Sequence, residues 1–393
     1  MAELTGERSA QRRVTKRISV LALIAVAIAI GPWSNRASTQ TPSPAGGAAS
    51  PASSSLGSSS LASLVERLSE PNGDFDTDNL ISNESSYLHV IPALEQAGVT
   101  GGVYIGVGPD QNFSYIARIR PNAAFIIDIR RDNLLLHLLF KAIFAASRNR
   151  MEYLSILTGR PAPDRLDSWR DASIEKIVAY LDMAEPASPA WNSADLDRLH
   201  ASIKATGIPV SAADLATIDR FRRAFVQSGL GLQFQSTGRA ARDYYPTYRD
   251  LLLETDRRGR KQCYLASEDD FQFVKALEAR DGLVPVVGNL SGPHALAAIG
   301  QEVTRRGEKV SAFYVSNIEN YLFRDGTFPR FADNVKKLPR SDKSVIIRSL
   351  FGGMSLPESV PGYYSTSAIQ TINEFVANCG SARCRGYYEL LKK

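Results

Sequence analysis

Cysteine and histidine are scarce in this chain, with three of one and four of the other in 393 residues. Three cysteines cannot build a disulfide framework, and neither residue type recurs at zinc-ligating spacings, so no metal site is expected. Cys379 and Cys384 lie near enough in sequence to close a small loop in an oxidising compartment, which would leave Cys263 as a buried thiol. A GxSxG elbow and a Ser-His-Asp arrangement are also absent, which leaves hydrolase chemistry without an anchor. A basic surface is lacking too. Much of the net charge of +5 comes from Arg8, Arg12, Arg13, Lys16 and Arg17, so the remainder is near neutral and nucleic acid has no electrostatic footprint.

Long apolar runs are few, and the most extended, ISVLALIAVAIAIGPW at 18–33, has sixteen residues without a charge. That is shorter than the roughly 20 residues of a perpendicular span and longer than a signal-peptide core of about 7 to 15. It reads as a signal segment or as an uncleaved anchor, making the membrane an expected partner. Basic residues cluster before the run, and after it Arg36 stands alone until Arg67, which directs the bulk of the chain out of the cytoplasm. The expected location is the inner membrane or periplasm, with the cytoplasmic membrane face as the alternative. The following stretch, 37–60, is Ser-, Ala-, Pro- and Gly-rich and is expected to be a flexible spacer. The organisation is therefore a basic and apolar segment at 1–36, a linker at 37–60 and a folded domain at 61–393.

Within the domain, helical spacing marks 61–70 and 83–97, the second with Ser82 as N-cap. Buried-strand runs follow at GVYIGV (102–107) and AAFIIDI (123–129), then return at LVPVV (283–287), VSAFYV (310–315) and SVII (344–347). A helix apolar nearly all round occupies 134–146. From 147 to 281 the pattern is helical, with starts at Ser168, Ser193, Ser211 and Ser267, which reads as a long insertion or cap. Further helices are expected from Pro293, from Thr327 and over 368–378. Strand, glycine loop, helix, strand and acidic residue in this order require a parallel crossover unit. The expected fold class is α/β, a Rossmann-like three-layer sandwich with a mostly parallel sheet and a helical insertion.

Gly106-Val107-Gly108-Pro109-Asp110 after the first strand, Asp128 ending the second, Asn289 after the third, and Ser316-Asn317-Ile318-Glu319-Asn320-Tyr321 after the fourth resemble the successive motifs of class I S-adenosylmethionine-dependent methyltransferases. The segments at 105–144 and 310–323 are similar to an uncharacterised bacterial family of that fold. The resemblance spans about 101–350 apart from the helical insertion. It implies a small-molecule ligand, S-adenosylmethionine among the possibilities, at the carboxyl ends of the strands. Gly106 and Gly108 would let backbone approach the ligand, Asp128 would accept ribose hydroxyls, and Asp110, Asn112 and Arg131 would stand nearby. Arg130 and Arg131 would either pair an anionic ligand or bridge to Asp128 and Asp132.

Asn289 occupies a position where many methyltransferases carry an acid near the adenine. Ser316, Asn317 and Tyr321 would line the rim or cap a helix, with Glu319 the candidate base. Tyr244, Tyr245 and Tyr248 form either an aromatic wall under the cap or a core cluster. No N/D-P-P-Y tetrapeptide is present. The expected function is ligand binding by a tethered or exported methyltransferase-like domain. The alternatives are a methyltransferase and a cell-envelope scaffold.

Overall fold

The computed structural model of the protein describes residues 60–77, 79–236, 242–351, 356–379, 384 and 386–390. The apolar run at 18–33 and nearly all of the linker lie outside them. Among the described residues, no helix is long and apolar enough to cross a membrane.

The elements run α1 (Leu61–Leu68), α2 (Ile91–Gln96), β1 (Val103–Gly106), α3 (Gln111–Ile119), β2 (Ala123–Asp128) and α4 (Arg131–Ala146). Six helices follow: α5 (Arg150–Thr158), α6 (Ile174–Met183), α7 (Pro189–Ala205), α8 (Ala212–Ser228), α9 (Tyr248–Leu253) and α10 (Glu268–Ala279). The sheet then resumes with β3 (Leu283–Val287), α11 (Ala295–Arg305), β4 (Val310–Ser316), α12 (Ile318–Arg324), α13 (Phe328–Lys336), β5 (Arg340–Phe351), β6 (Ser365–Thr371) and α14 (Ile372–Cys379).

The protein is α/β, with a mixed six-stranded sheet in the order β3-β2-β1-β4-β5-β6. Its first five strands pair in parallel and β6 pairs antiparallel to β5. β1 to β3 carry fully buried apolar side chains at nearly every position, the pattern of strands covered on both faces. Pro285 sits inside β3 and is tolerated because β3 is an edge strand, where one side of the backbone has no ladder to feed. The order reverses between β1 and β4, so chain connections diverge there and leave a crevice at the strand ends.

Local chemistry fixes several boundaries. Ser211 caps α8 with Asp214 in a reciprocal box, and Ser267 caps α10. Other expected boundaries are displaced. The segment 83–97 is a short 3-10 turn at Tyr87–Val90 followed by α2, because Pro92 suits a first turn and not a helix interior. Ser193 lies within α7, whose cap is Ser188. Near Ser168 there is only a 3-10 turn, and Ser173 caps the true helix, α6. Residues 365–371, partly expected as helix, form β6 and are held by seven residue pairings to β5. Cys379 and Cys384 are joined in a disulfide, and Cys263 is a buried free thiol.

Candidate functional site

A cavity of about 270 Å³ opens at the carboxyl ends of β1 to β4, where the strand order reverses. Gly108 and Gln111 border it after β1, Asp128 after β2, Asn289 and Ser291 after β3, and Ser316 and Asn317 after β4. Its cover comes from three sources: the 74–83 segment, Phe234 with Tyr245 from the helical region, and Tyr321 of α12. Phe75 meets Tyr321 edge-on, with ring centroids 5.2 Å apart.

The glycine loop is built by packing. A Cβ on Gly106 would lie 2.0 Å from Asn112 Oδ1, so this glycine serves the loop's clamp and does not line the cavity. Asn112 is fully buried and donates from Nδ2 to the carbonyls of Val107, Gly108 and Pro109, while its Oδ1 accepts from Tyr104. Gly108 adopts φ +81°, a conformation that favours glycine. Its carbonyl lies 2.9 Å from His137 Nε2, which identifies that nitrogen as the protonated one. Burial holds the His137 ring down at about 4, so it is neutral there.

Asp128 ends β2 at the cavity wall and is engaged by its neighbour. Its Oδ1 accepts from the Arg130 backbone at 2.9 Å, and the guanidinium approaches both carboxylate oxygens at 3.3 Å. Arg130 also donates to the Thr77 carbonyl, fastening the covering segment to β2. Asn289 accepts from the Ser291 backbone and hydroxyl through Oδ1, while Glu70 receives its backbone N–H.

Five expected site residues lie elsewhere, Gly106 and Asn112 among them. Asp110 is buried against Tyr248 and Tyr264, whose hydroxyls reach its Oδ2 at 2.8 and 3.3 Å. Burial pushes its carboxyl up to about 6 against those two donors. Arg131 turns to the helical region, where it pairs with Asp214 at 2.9 and 3.1 Å and holds that carboxyl below its usual range. Glu319 is fully buried in a bidentate pair with Arg348, at 2.7 and 3.0 Å, and Arg348 also bonds Gln370. Its lone pairs are committed to a guanidinium, and it does not border the cavity, so it is no base for a ligand there. The three tyrosines divide: Tyr245 borders the cavity, Tyr248 serves Asp110, and Tyr244 stacks on Tyr364 at 3.9 Å.

The structure adds groups that the sequence did not single out. Asp74, Asp76 and Asp325 border the cavity with Asp128, and no Lys, Arg or His does so among the described residues. Gln111 is 7% exposed, donates from Nε2 to Tyr314, and has no partner for Oε1. Behind Ser316 sits Glu84, fully buried, accepting from the hydroxyls of Tyr314, Ser316 and Ser349. Among the described residues, no group of three or more His, Cys, Asp or Glu side chains is arranged to hold a metal ion.

The chain belongs to a family described as a domain of unknown function, DUF7790, whose profile matches residues 80–181 and 213–393. The matched parts include all six strands and Glu84, whereas α7 falls in the gap. A search of curated proteins returns no match.

Proposed function

We propose that the chain carries a Rossmann-like domain, of the class I methyltransferase type, whose cavity binds a small nucleoside-like ligand bearing positive charge, with S-adenosylmethionine as the best-fitting member. The observation that carries this reading is the lining: among the described residues, four aspartates border the cavity and no basic side chain does, with Arg130 and Arg324 pairing Asp128 and Asp325 from outside it. A dinucleotide brings a pyrophosphate that carboxylates repel, whereas a sulfonium or ammonium group is attracted to them. The parallel strand order with its reversal between β1 and β4 supports the fold assignment, since open α/β sheets take ligands in that crevice.

The residues present suit such a ligand. Gly108 offers backbone without a Cβ, Asp128 stands at the end of β2 where a ribose diol is accepted, and Gln111 Oε1 offers an unpaired acceptor. When bound, the ligand would supply a methyl group activated by its sulfonium. Asp128 would exchange part of its bonding with Arg130 for the diol, and the Thr77 contact keeps Arg130 in place. Tethering or export through 18–33 remains part of the proposal, and the Cys379–Cys384 disulfide supports an oxidising compartment.

Calorimetric titration with S-adenosylmethionine is expected to give saturable binding, and NAD none. Asp128→Ala removes two hydrogen bonds to a charged group, each worth about 1.5 to 3 kcal/mol, and should weaken binding by at least about 100-fold. Absence of binding to the wild-type protein, or an undiminished affinity in the variant, would overturn the reading.

A further inference from the structure

Burying a carboxylate normally demands a cation, and none among the described residues pairs with Glu84. Among the described residues its side-chain hydrogen-bond partners are all hydroxyls: Tyr314 at 2.7 Å on β4, Ser316 at the end of that strand, and Ser349 on β5. Tyr104 on β1 and Tyr115 on α3 are the other titratable groups that sense its charge, and both are held protonated by burial. Around this core lie further hydroxyls, with Ser86 bonding Ser365 at 2.8 Å and Ser367 lying 3.3 Å from both Ser86 and Ser349. A carboxyl surrounded in this way is stable with or without a proton, since each hydroxyl can turn to donate or accept. Its burial favours the protonated form more than water does.

Of the three hydroxyls on Glu84, the one that borders the cavity is that of Ser316. The backbone is shaped to put it there. The β4–β5 register shifts between Tyr314 and Ser316, and Ser316 adopts φ +54°. Both features re-aim a side chain at a strand end and cost energy that an ordinary turn residue would avoid. Gln111, also on the wall, donates to the Tyr314 hydroxyl, which is in turn committed to Glu84.

We propose that Ser316 and Glu84 form a proton relay that serves the cavity, accepting a proton from a hydroxyl or amine of a second substrate docked at the β4 end. This rests on the reading of the cavity as a ligand site. The substrate O–H or N–H bond breaks and its proton goes to Ser316 Oγ, while the proton already on Ser316 goes to Glu84 Oε1. The electron pair left on the substrate atom is then free to attack an electrophile held in the same cavity. After product leaves, the proton returns to solvent by the reverse route. Ser316 is the catalytic residue, and Glu84 acts through it.

The relay is testable without any ligand, so its failure is separable from a failure of S-adenosylmethionine binding. Infrared difference spectra of wild type minus Glu84→Gln, taken across the pH range of the folded protein, isolate the carboxylic-acid carbonyl band of Glu84. On transfer to D₂O that band should shift rapidly in the wild type. Ser316→Cys fills the same space with a poor proton carrier and should slow the shift at least about tenfold. Ser349→Cys removes an equivalent hydrogen bond that does not border the cavity and should leave the rate unchanged. No carboxylic-acid band at any pH, or equal exchange in the two cysteine variants, would overturn the proposal.

Discussion

Asp110 offers the sharpest quantitative test because its burial, its partners and its titration are all defined. It precedes α3, is fully enclosed, and receives two tyrosine hydroxyls on one oxygen. An ordinary aspartate ionises near 3.8, and in the fold this one does so at about 6, desolvation outweighing the two hydroxyl donors. The folded state therefore favours the neutral form more than the unfolded chain does. The stability this contributes is fully present below pH 3.8 and is lost as pH rises through about 6. The gap corresponds to about 3 kcal/mol. In Asp110→Asn the amide oxygen can keep both hydroxyls, and nothing at that position titrates. Urea unfolding across this pH range should give a wild-type-minus-variant curve that falls by about 3 kcal/mol towards neutrality. Other shifted groups, such as Glu278 pushed up to about 7 by burial, cancel in the difference. A flat difference curve would refute the reasoning. Loss of ligand binding in this variant with stability intact would return Asp110 to the list of ligand groups.

Two further outcomes follow from packing. Glu319→Gln strands the buried Arg348 guanidinium and should cost about 3 to 5 kcal/mol in urea unfolding. The double change Glu319→Gln with Arg348→Met should recover most of that loss, whereas a catalytic Glu319 would show a functional loss that the second change does not restore. Gly106→Ala places a Cβ 2.0 Å from Asn112 Oδ1 and should destabilise by about 1 to 3 kcal/mol. It should also loosen the 107–109 loop, measurable as faster amide exchange there.

Much of the sheet was legible because its strands are short and buried, with glycine beside β1 and β3. The runs at 102–107, 123–129, 283–287 and 310–315 match β1 to β4 within a residue. β6 was not legible, since STSAIQT at Ser365–Thr371 is mostly polar. Its hydroxyls face the buried polar network around Ser86 and Ser349, so the usual apolar signature of a strand is absent. Helix starts were readable where the cap and its partner lie three residues apart, as at Ser211 and Asp214. They were misplaced where a serine merely sat inside a helix that had already begun, as at Ser193.

The site divides along the same line between local and distant causes. The placement of Gly108 and Asp128 at the cavity was legible because strand ends and backbone freedom are written in adjacent residues. Glu319 was misread because a short helix after a strand does not reveal which way its first turn faces. The register shift and the φ of Ser316 aim that residue at the cavity, while Glu319, one turn on, meets Arg348. That arginine lies one residue beyond the strand expected at 344–347, in a strand that in fact runs to Phe351. Arg131 escaped for a similar reason, since its partner Asp214 is 83 residues away. Glu84 is the extreme case: its hydroxyl donors are 230 to 265 residues distant, and nothing in the Ser-Asn-Glu-Ser-Ser stretch around it signals burial. A carboxylate paired with hydroxyls leaves no charge pattern in a sequence. That silence is what the proposed relay draws on: among the described residues, hydroxyls and no cation hold Glu84.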